Sequence, residues 1–303
     1  MKFLVFSDFH YEPGVFLGPE MEGLRAMQRR AKEEQCDCIV QLGDLCHGVS
    51  GVPELLTAYN NFEISSYHVL GNHDAEHDSF ADTVRAYGMP CHYYYVDVNG
   101  YRLIVLDPNY FVENGEYVHF ELCNWRDHGA TRDTLPPEQI AWLEQTIATS
   151  PHPCVLLSHQ SFERADGVKN RQAVLDVINA ANRRKKGSVM LCINGHYHRD
   201  NVRVMDNVCY LDLNSASVDW VEKSHYSFPK ELHERVKKLH HLVVFEKPLY
   251  AIVTLEGNAI EIGGTSSPML YGIDYEMAAG TKAYDCCGRP FTNTVTSTRV
   301  VLA

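Results

Sequence analysis

The sequence predicts a protein of the mixed α/β (α+β) class, and three observations predict it. Over the first two hundred residues, short β-branched or aliphatic runs alternate with amphipathic stretches, the rhythm of βα units. Beyond residue 200 the rhythm becomes strand upon strand, with turns at Asp206-Asn207 and Glu256-Gly257-Asn258. Short pieces bearing Asp, Asn and His follow the ends of the aliphatic runs, where proteins of this class place their chemistry.

Taken in order, Lys2–Phe6 reads as the first strand, and Glu20–Glu34 as a helix with Met21, Leu24, Met27 and Ala31 at helical spacing. Cys38–Leu42 is a strand, followed by a helix near Pro53–Asn60, a strand near Ser65–Leu70 and a helix over Asp78–Tyr87. Tyr93–Val98 and Arg102–Leu106 flank Asn99-Gly100, a strong tight-turn signal. A helix begins after Leu135-Pro136-Pro137, with Pro137 near its first turn, and runs to Ser150. Cys154–Leu157, a helix over Arg171–Arg183 and Val189–Ile193 complete the βα region. The later strands, Asn201–Met205, Val208–Leu213, Leu242–Phe245, Ala251–Leu255 and Ala259–Gly263, are expected to form a second sheet of antiparallel character. Pro229–His241 is expected to be a charged helix inserted among them, and Thr294–Leu302 alternates as a strand does. Asp107–Leu135, with His119, Trp125, Arg126 and His128, and Asn214–Ser227, with Trp220, His225 and Tyr226, are too long for simple connectors and read as lids or binding loops.

At 303 residues, with 45% hydrophobic and 22% charged residues, the chain can bury a sizeable core. Lys plus Arg number 27 against 39 for Asp plus Glu, and the resulting charge of −12 disfavours a nucleic-acid partner. No stretch approaches the roughly 18 apolar residues needed to cross a bilayer, so no membrane partner is expected. The first apolar run, Phe3-Leu4-Val5-Phe6, leads straight into Asp8 and His10 and reads as a strand, not a leader. Ten cysteines without a Cys-x-x-Cys spacing fit a reducing compartment, and the expected location is the cytoplasm. The adjacent Cys286-Cys287 is either redox-active, metal-binding or neither.

Five pieces carry the chemistry: Asp8-Phe9-His10, Gly43-Asp44, Gly71-Asn72-His73-Asp74, Ser158-His159 and Gly195-His196-Tyr197-His198. Singly each has an ordinary reading. Gly-Asp is a common turn, Asn and Asp cap helices, and a lone Ser-His is often a satisfied polar pair. His196 and His198 are stronger, because residues i and i+2 of an extended segment point the same way. Together, carboxylate, imidazole and carboxamide donors at successive strand ends point to a binuclear metal site acting on phosphate esters.

In the order DxH, GD, GNH[DE], H, GHxH, the chain resembles the calcineurin-like metallophosphoesterases over about residues 1–215. The resemblance implies a four-layer αββα sandwich with two mixed β-sheets. It implies a metallophosphoesterase domain over 1–265, leaving 266–303 as an extension packed on that domain or on a neighbouring subunit. Asp8, His10 and His198 would hold one metal ion, Asn72, His159 and His196 the other, and Asp44 would bridge them. The two divalent or trivalent ions would be manganese, iron, zinc or cobalt, since mixed Asp, His and Asn donors suit these better than magnesium or calcium. His73 would face the phosphate as the catalytic group. Asp74 would either orient His73 or cap the following helix.

The implied activity is hydrolysis of a small phosphorylated substrate, a phosphodiester or phosphomonoester. A nucleoside-diphosphate pyrophosphatase and a non-catalytic protein-binding scaffold are the alternatives. His47, three residues after Asp44, departs from the tyrosine of the redox-coloured iron members, and the GDxxDRG of the Ser/Thr phosphatases is missing. His47 either contacts substrate or lies in a solvated loop; His77, His92, His152, His240 and His241 read as surface residues. Trp125, Trp220, Tyr110 and Phe162 are candidates for stacking on a base or apolar leaving group, and Arg126, Arg164 and Lys169 for a second phosphate.

Overall fold

The computed structural model describes residues 1–18, 21–278 and 284–303. The chain opens with β1 (Lys2–Phe6), α1 (Met21–Glu33), β2 (Cys38–Gln41), α2 (Pro53–Asn60), β3 (Ser65–His68) and α3 (Phe80–Ala86). The expected first residue of α1, Glu20, lies outside the described residues. Next come β4 (Tyr94–Val98), β5 (Tyr101–Val105), a hairpin of β6 (Tyr110–Glu113) and β7 (Glu116–His119), α4 (Pro137–Ala148), β8 (Cys154–Leu157), α5 (Arg171–Arg184) and β9 (Val189–Asn194). The last third holds β10 (Asn201–Met205), β11 (Val208–Asp212), β12 (Val218–Trp220), α6 (Lys230–Arg235), β13 (Leu242–Val244), β14 (Ala251–Glu256), β15 (Ala259–Gly264) and β16 (Thr298–Val301).

Two six-stranded mixed sheets result. One has the order β16-β15-β14-β1-β2-β3, the other β10-β11-β9-β8-β5-β4. In the first, β1, β2 and β3 run parallel and β14 pairs antiparallel with β1, Lys2 opposite Thr254. In the second, β5, β8, β9 and β11 run parallel, with antiparallel β4 and β10 at the edges.

Alternation along the strands builds the layers. Phe3, Val5, Cys38 and Val40 face Leu103, Val105, Leu157, Leu191 and Leu211 in the core between the sheets. Leu4, Phe6 and Ile39 point the other way, onto Leu24, Met27 and Leu55 of α1 and α2. Ile104 and Leu156 meet Leu143, Ile147, Val174 and Ile178 of α4 and α5. Helix, sheet, sheet and helix make four layers, each sheet being apolar on both faces as buried parallel strands require. Among the described residues no helix is long and apolar enough to cross a membrane.

Two expectations fail here. The late strands do not form a sheet of their own: β10 and β11 extend the second sheet through β9, while β14, β15 and β16 extend the first through β1. Among the described late strands, β12 and β13 stand apart as a two-stranded pair. The helix over Pro229–His241 also stops early. Val236 turns extended at φ −116° and ψ 111°, and the chain resumes as one 3₁₀ turn, Leu239–His241. At the break the Lys237 and Lys238 amides bond to the Gly14 and Val15 carbonyls at 3.1 and 2.9 Å in place of helical partners, and Val236 and Leu239 pack in a cluster with Phe16, Val218 and Leu242.

Asp107, just beyond β5, is fully buried and anchors the β6–β7 hairpin. Its Oδ2 lies 2.6 Å from His119 Nε2 and 2.9 Å from His92 Nδ1, while Oδ1 accepts the Asn109 N–H. His92 is therefore a partnered residue, not a solvated one. Burial opposes the Asp107 charge, but His119 and His92 hold its carboxyl below the usual carboxylate range. A depressed carboxyl stabilises the fold above its unfolded value of about 3.9, and that contribution is lost as pH falls through the folded value. Asp107→Asn is expected to be less stable than the parent near neutrality, with the gap shrinking below about pH 4. Urea unfolding across that range checks this, and a gap that does not change with pH would refute it.

Candidate metal centre

The five motif pieces lie on loops that leave the carboxyl ends of strands and converge on one edge of the sandwich. Beyond β1 and β2 the two chains stay zipped together: Asp8 N–H donates to Gly43 O, His10 N–H to Asp44 O and Tyr11 N–H to Leu45 O, at 2.9–3.0 Å. Within these loops Asp8, His10, Asp44, His196 and His198 all adopt left-handed backbone, with φ of 54°, 49°, 52°, 70° and 53°. Side chains other than glycine visit this region at a cost of about 1–2 kcal/mol each, so the surrounding contacts must hold them there. Two glycines let the loops close. A Cβ on Gly71 would strike the Asp44 amide and carboxylate, and one on Gly195 would strike the Ser7 hydroxyl and lie 2.5 Å from Asp8 Oδ2.

Asp8, His10 and His198 each offer a ligand atom, and the three atoms lie within 4.8 Å of one another; Asp44, His159 and His196 do the same. His198 Nε2 is 3.1 Å from His10 Nε2 and 3.3 Å from Asp8 Oδ1. In the second group His159 Nε2 is 3.1 Å from both His196 Nδ1 and Asp44 Oδ2. The groups adjoin, His159 Nε2 being 4.0 Å from Asp8 Oδ1. Asn72 is buried, and its Oδ1, like Asp8 Oδ1, has no hydrogen-bond partner.

Hydrogen bonding on the far side of each ring sets the tautomers. His198 Nδ1 donates to the Val218 carbonyl and His159 Nδ1 to the Leu42 carbonyl, both at 2.8 Å. A carbonyl only accepts, so in the neutral rings both Nε2 atoms are bare lone pairs aimed inward. Bare imidazole nitrogens, carboxylate oxygens and an unpartnered carboxamide oxygen packed around one point repel each other unless a cation lies between them. The donor set fits metal ions on this ground. Burial opposes charge on His159, yet Asp44 and Asp8 raise its imidazole to about 10, so the pocket favours positive charge. Burial lowers the His196 imidazole to about 3, the neutral state a ligand needs.

His73 lies beside this cluster. Its backbone N–H donates to Asp44 Oδ1 at 2.8 Å, and its Nδ1 lies 2.8 Å from Glu76 Oε2. Asp74 does neither of the things expected of it. Its carboxylate accepts the amides of Asp44, Leu45 and Gly71 at 2.7–3.0 Å and the Tyr87 hydroxyl at 2.5 Å. The following helix is capped by Ser79 instead. Asp74 is short and its loop turns it towards the buried amides, so the longer Glu76 reaches His73. His47 is likewise buried, not solvated, with Nε2 2.9 Å from His10 Nδ1 and Nδ1 2.8 Å from Glu76 Oε2.

Glu76 and His47 are thus residues of the site that no motif marks; the one signal for Glu76 is its place three residues after His73 in a turn. Two candidates for substrate contact belong to the interior. Arg164 is fully buried between Asp166 and Asp285, and Phe162 packs in the core beneath α4 and α5. Trp125 packs on Phe120 and meets the His73 ring edge-on. Trp220 stays half-exposed, 6.1 Å from His10, and lines a cavity of about 620 Å³ with His196, His198, Arg199, Cys286 and Phe291. Cys286 and Cys287 both direct their thiols at Asp166, 3.2 Å away.

The family model for calcineurin-like phosphoesterases matches residues 1–200. The chain is similar in fold to a dimetal phosphatase from Danio rerio (TM-score 0.64, 15% identity, covering 100% of this chain and 99% of that one). It is also similar to GAP50, the anchor in the inner membrane complex of Plasmodium (TM-score 0.55, 12% identity, 100% and 89% covered). No curated protein sequence matches.

Gly195→Ala tests how tightly the loops must close. Overpacking of this kind costs about 1–3 kcal/mol, and here the displaced atoms are the Asp8 carboxylate and its neighbour. The variant is expected to melt lower and to retain less metal by elemental analysis. A variant with parental melting temperature and metal content would show that the loops tolerate the spread.

Proposed function

Because this chain belongs to the calcineurin-like phosphoesterase family, we propose that it hydrolyses small phosphate esters at a binuclear metal centre. The observation that carries the reading is the pair of adjoining ligand groups with bare nitrogens facing inward. In this reading Asp8, His10 and His198 would hold one ion and Asn72, His159 and His196 the other. Asp44 would serve both, its charge acting on His10 as well as on His159. Manganese, iron, zinc or cobalt suits the donor set. Bound ions would activate a water and neutralise the phosphate oxygens.

The chain's own residues supply the rest. Asp8 and Asp44 keep the cluster anionic enough to retain two cations, and neutral Asn72 leaves net positive charge to attract a phosphate. His73, its Nδ1–H held by Glu76, presents its Nε2 edge to the site; as an imidazolium it would stabilise the phosphate and give the Nε2 proton to the leaving oxygen, returning to the neutral ring. The cavity beside His196 and His198 would take the rest of the substrate. Trp220 offers an aromatic face there, which suits a nucleotide-like ester, whereas Arg199 is paired with Asp219 and lies over the Phe291 ring. Against a purely scaffolding role stands the complete donor set, since a binding platform has no use for buried, mutually repelling lone pairs.

With manganese added, turnover of p-nitrophenyl phosphate or bis-p-nitrophenyl phosphate is expected, and chelation or Asp44→Asn should abolish it. His73→Ala is expected to lower kcat by about 10²–10⁴-fold with metal content retained. A metal-loaded protein that cleaves neither compound nor any nucleotide diester would overturn the proposal, and undiminished turnover by His73→Ala would remove His73 from it.

A further inference from the structure

We infer that Glu76 is a shared positioning residue, fixing His73 directly and His10 through His47. The inference rests on the function proposed above for its catalytic half and on geometry alone for its metal half. One oxygen, Oε2, lies 2.8 Å from both His73 Nδ1 and His47 Nδ1. The other, Oε1, meets the guanidinium of Arg126. Glu76 is buried, and Cys123 donates its thiol to the Glu76 carbonyl at 3.2 Å, which pins the backbone as well.

The direction of each hydrogen bond follows from the carboxylate. A carboxylate only accepts, so His47 Nδ1 and His73 Nδ1 both carry protons. His47 Nε2 is then an acceptor, and His10 Nδ1–H donates a hydrogen bond to it at 2.9 Å. That leaves His10 Nε2 bare, facing His198 and Asp8, the state a metal ligand requires. The chain Glu76, His47, His10 and the branch to His73 together order three tautomers from one charge. Packing keeps it aligned: His47 stacks on Phe16 with ring centres 4.3 Å apart and lies 4.5 Å from the His73 ring. Because the same oxygen serves both branches, the geometry of His10 and that of His73 are tied together.

An amide at position 76 cannot reproduce this. In one orientation its NH₂ faces two imidazole N–H groups, and in the other it faces Arg126; either way donor meets donor. Glu76→Gln and His47→Ala, loaded with zinc and titrated against a chromophoric chelator, are each expected to weaken one of two zinc ions by about 10–100-fold. Glu76→Gln should also steepen the dependence of kcat on leaving-group basicity, losing more turnover on phenyl phosphate than on p-nitrophenyl phosphate. A merely structural role would lower both alike. Should Glu76→Gln fail to fold, Arg126→Met, which strips only the outer partner, is expected to change the leaving-group dependence in the same direction. Parental zinc affinity in both variants overturns the His47 branch, and a parental leaving-group dependence overturns the His73 branch. A parent protein that binds zinc but cleaves no ester would refute the proposed activity, and the affinity measurement would still decide the anchor.

Discussion

The site depends on one buried carboxylate that touches neither substrate nor, in our reading, metal. Asp74 gathers the amides of Asp44, Leu45 and Gly71, with the Tyr87 hydroxyl, around its two oxygens. It thereby ties the loop after β2 to the loop after β3 and sets the spacing of Asp44 from Asn72 and His73. Burial and the neighbouring Asp44 push its carboxyl up to about 7, so the arrangement sits close to the limit of what the amides can hold charged. Removing such an acceptor would leave buried N–H groups unmade at about 1–3 kcal/mol each. More than stability would go, because the loops carry left-handed residues that relax once released.

The strand-end motifs are legible because the candidate ligands sit at fixed short offsets from apolar strands, and both features are local in sequence. Asp8, His10, Asp44, His159, His196 and His198 were singled out and the structure brings them together. Glu76 and His47 were not legible as a pair. They meet through a turn and a loop–loop packing, and nothing in His47's neighbourhood foretells that Glu76, 29 residues away, closes on it. The place of Asp74 next to His73 suggests a pairing, whereas adjacent residues in a turn point in different directions.

The same distinction governs the fold. The βα units of the first two hundred residues were readable element by element, since each strand and helix announces its own period. The destination of the later hairpins was not. Local alternation pairs β10 with β11 and β14 with β15, but the sheet each hairpin joins is decided by its free edge. Those edges meet β9 and β1, which is information held far away in the chain. The short α6 shows the same from the other side, a charged stretch that reads as one helix until its amides at Lys237 and Lys238 bond to Gly14 and Val15, far away in the chain.

The place of β1 has a consequence for the order in which the protein is made. β1 is an inner strand, flanked by β2 on one side and β14 on the other, and Met1 bonds to Leu255 across 254 residues of chain. The Asp8 carbonyl is held by the hydroxyls of Ser215 and Ser217. At ribosomal speeds of about 5–20 residues per second, β14 would follow β1 by roughly 10–50 s. Throughout that interval the nascent chain carries an apolar strand with one open edge, although every residue from Asp8 to His198 is made before β14. A strand made early is thus completed late, and until β14 arrives its open edge is free to pair with neighbouring chains.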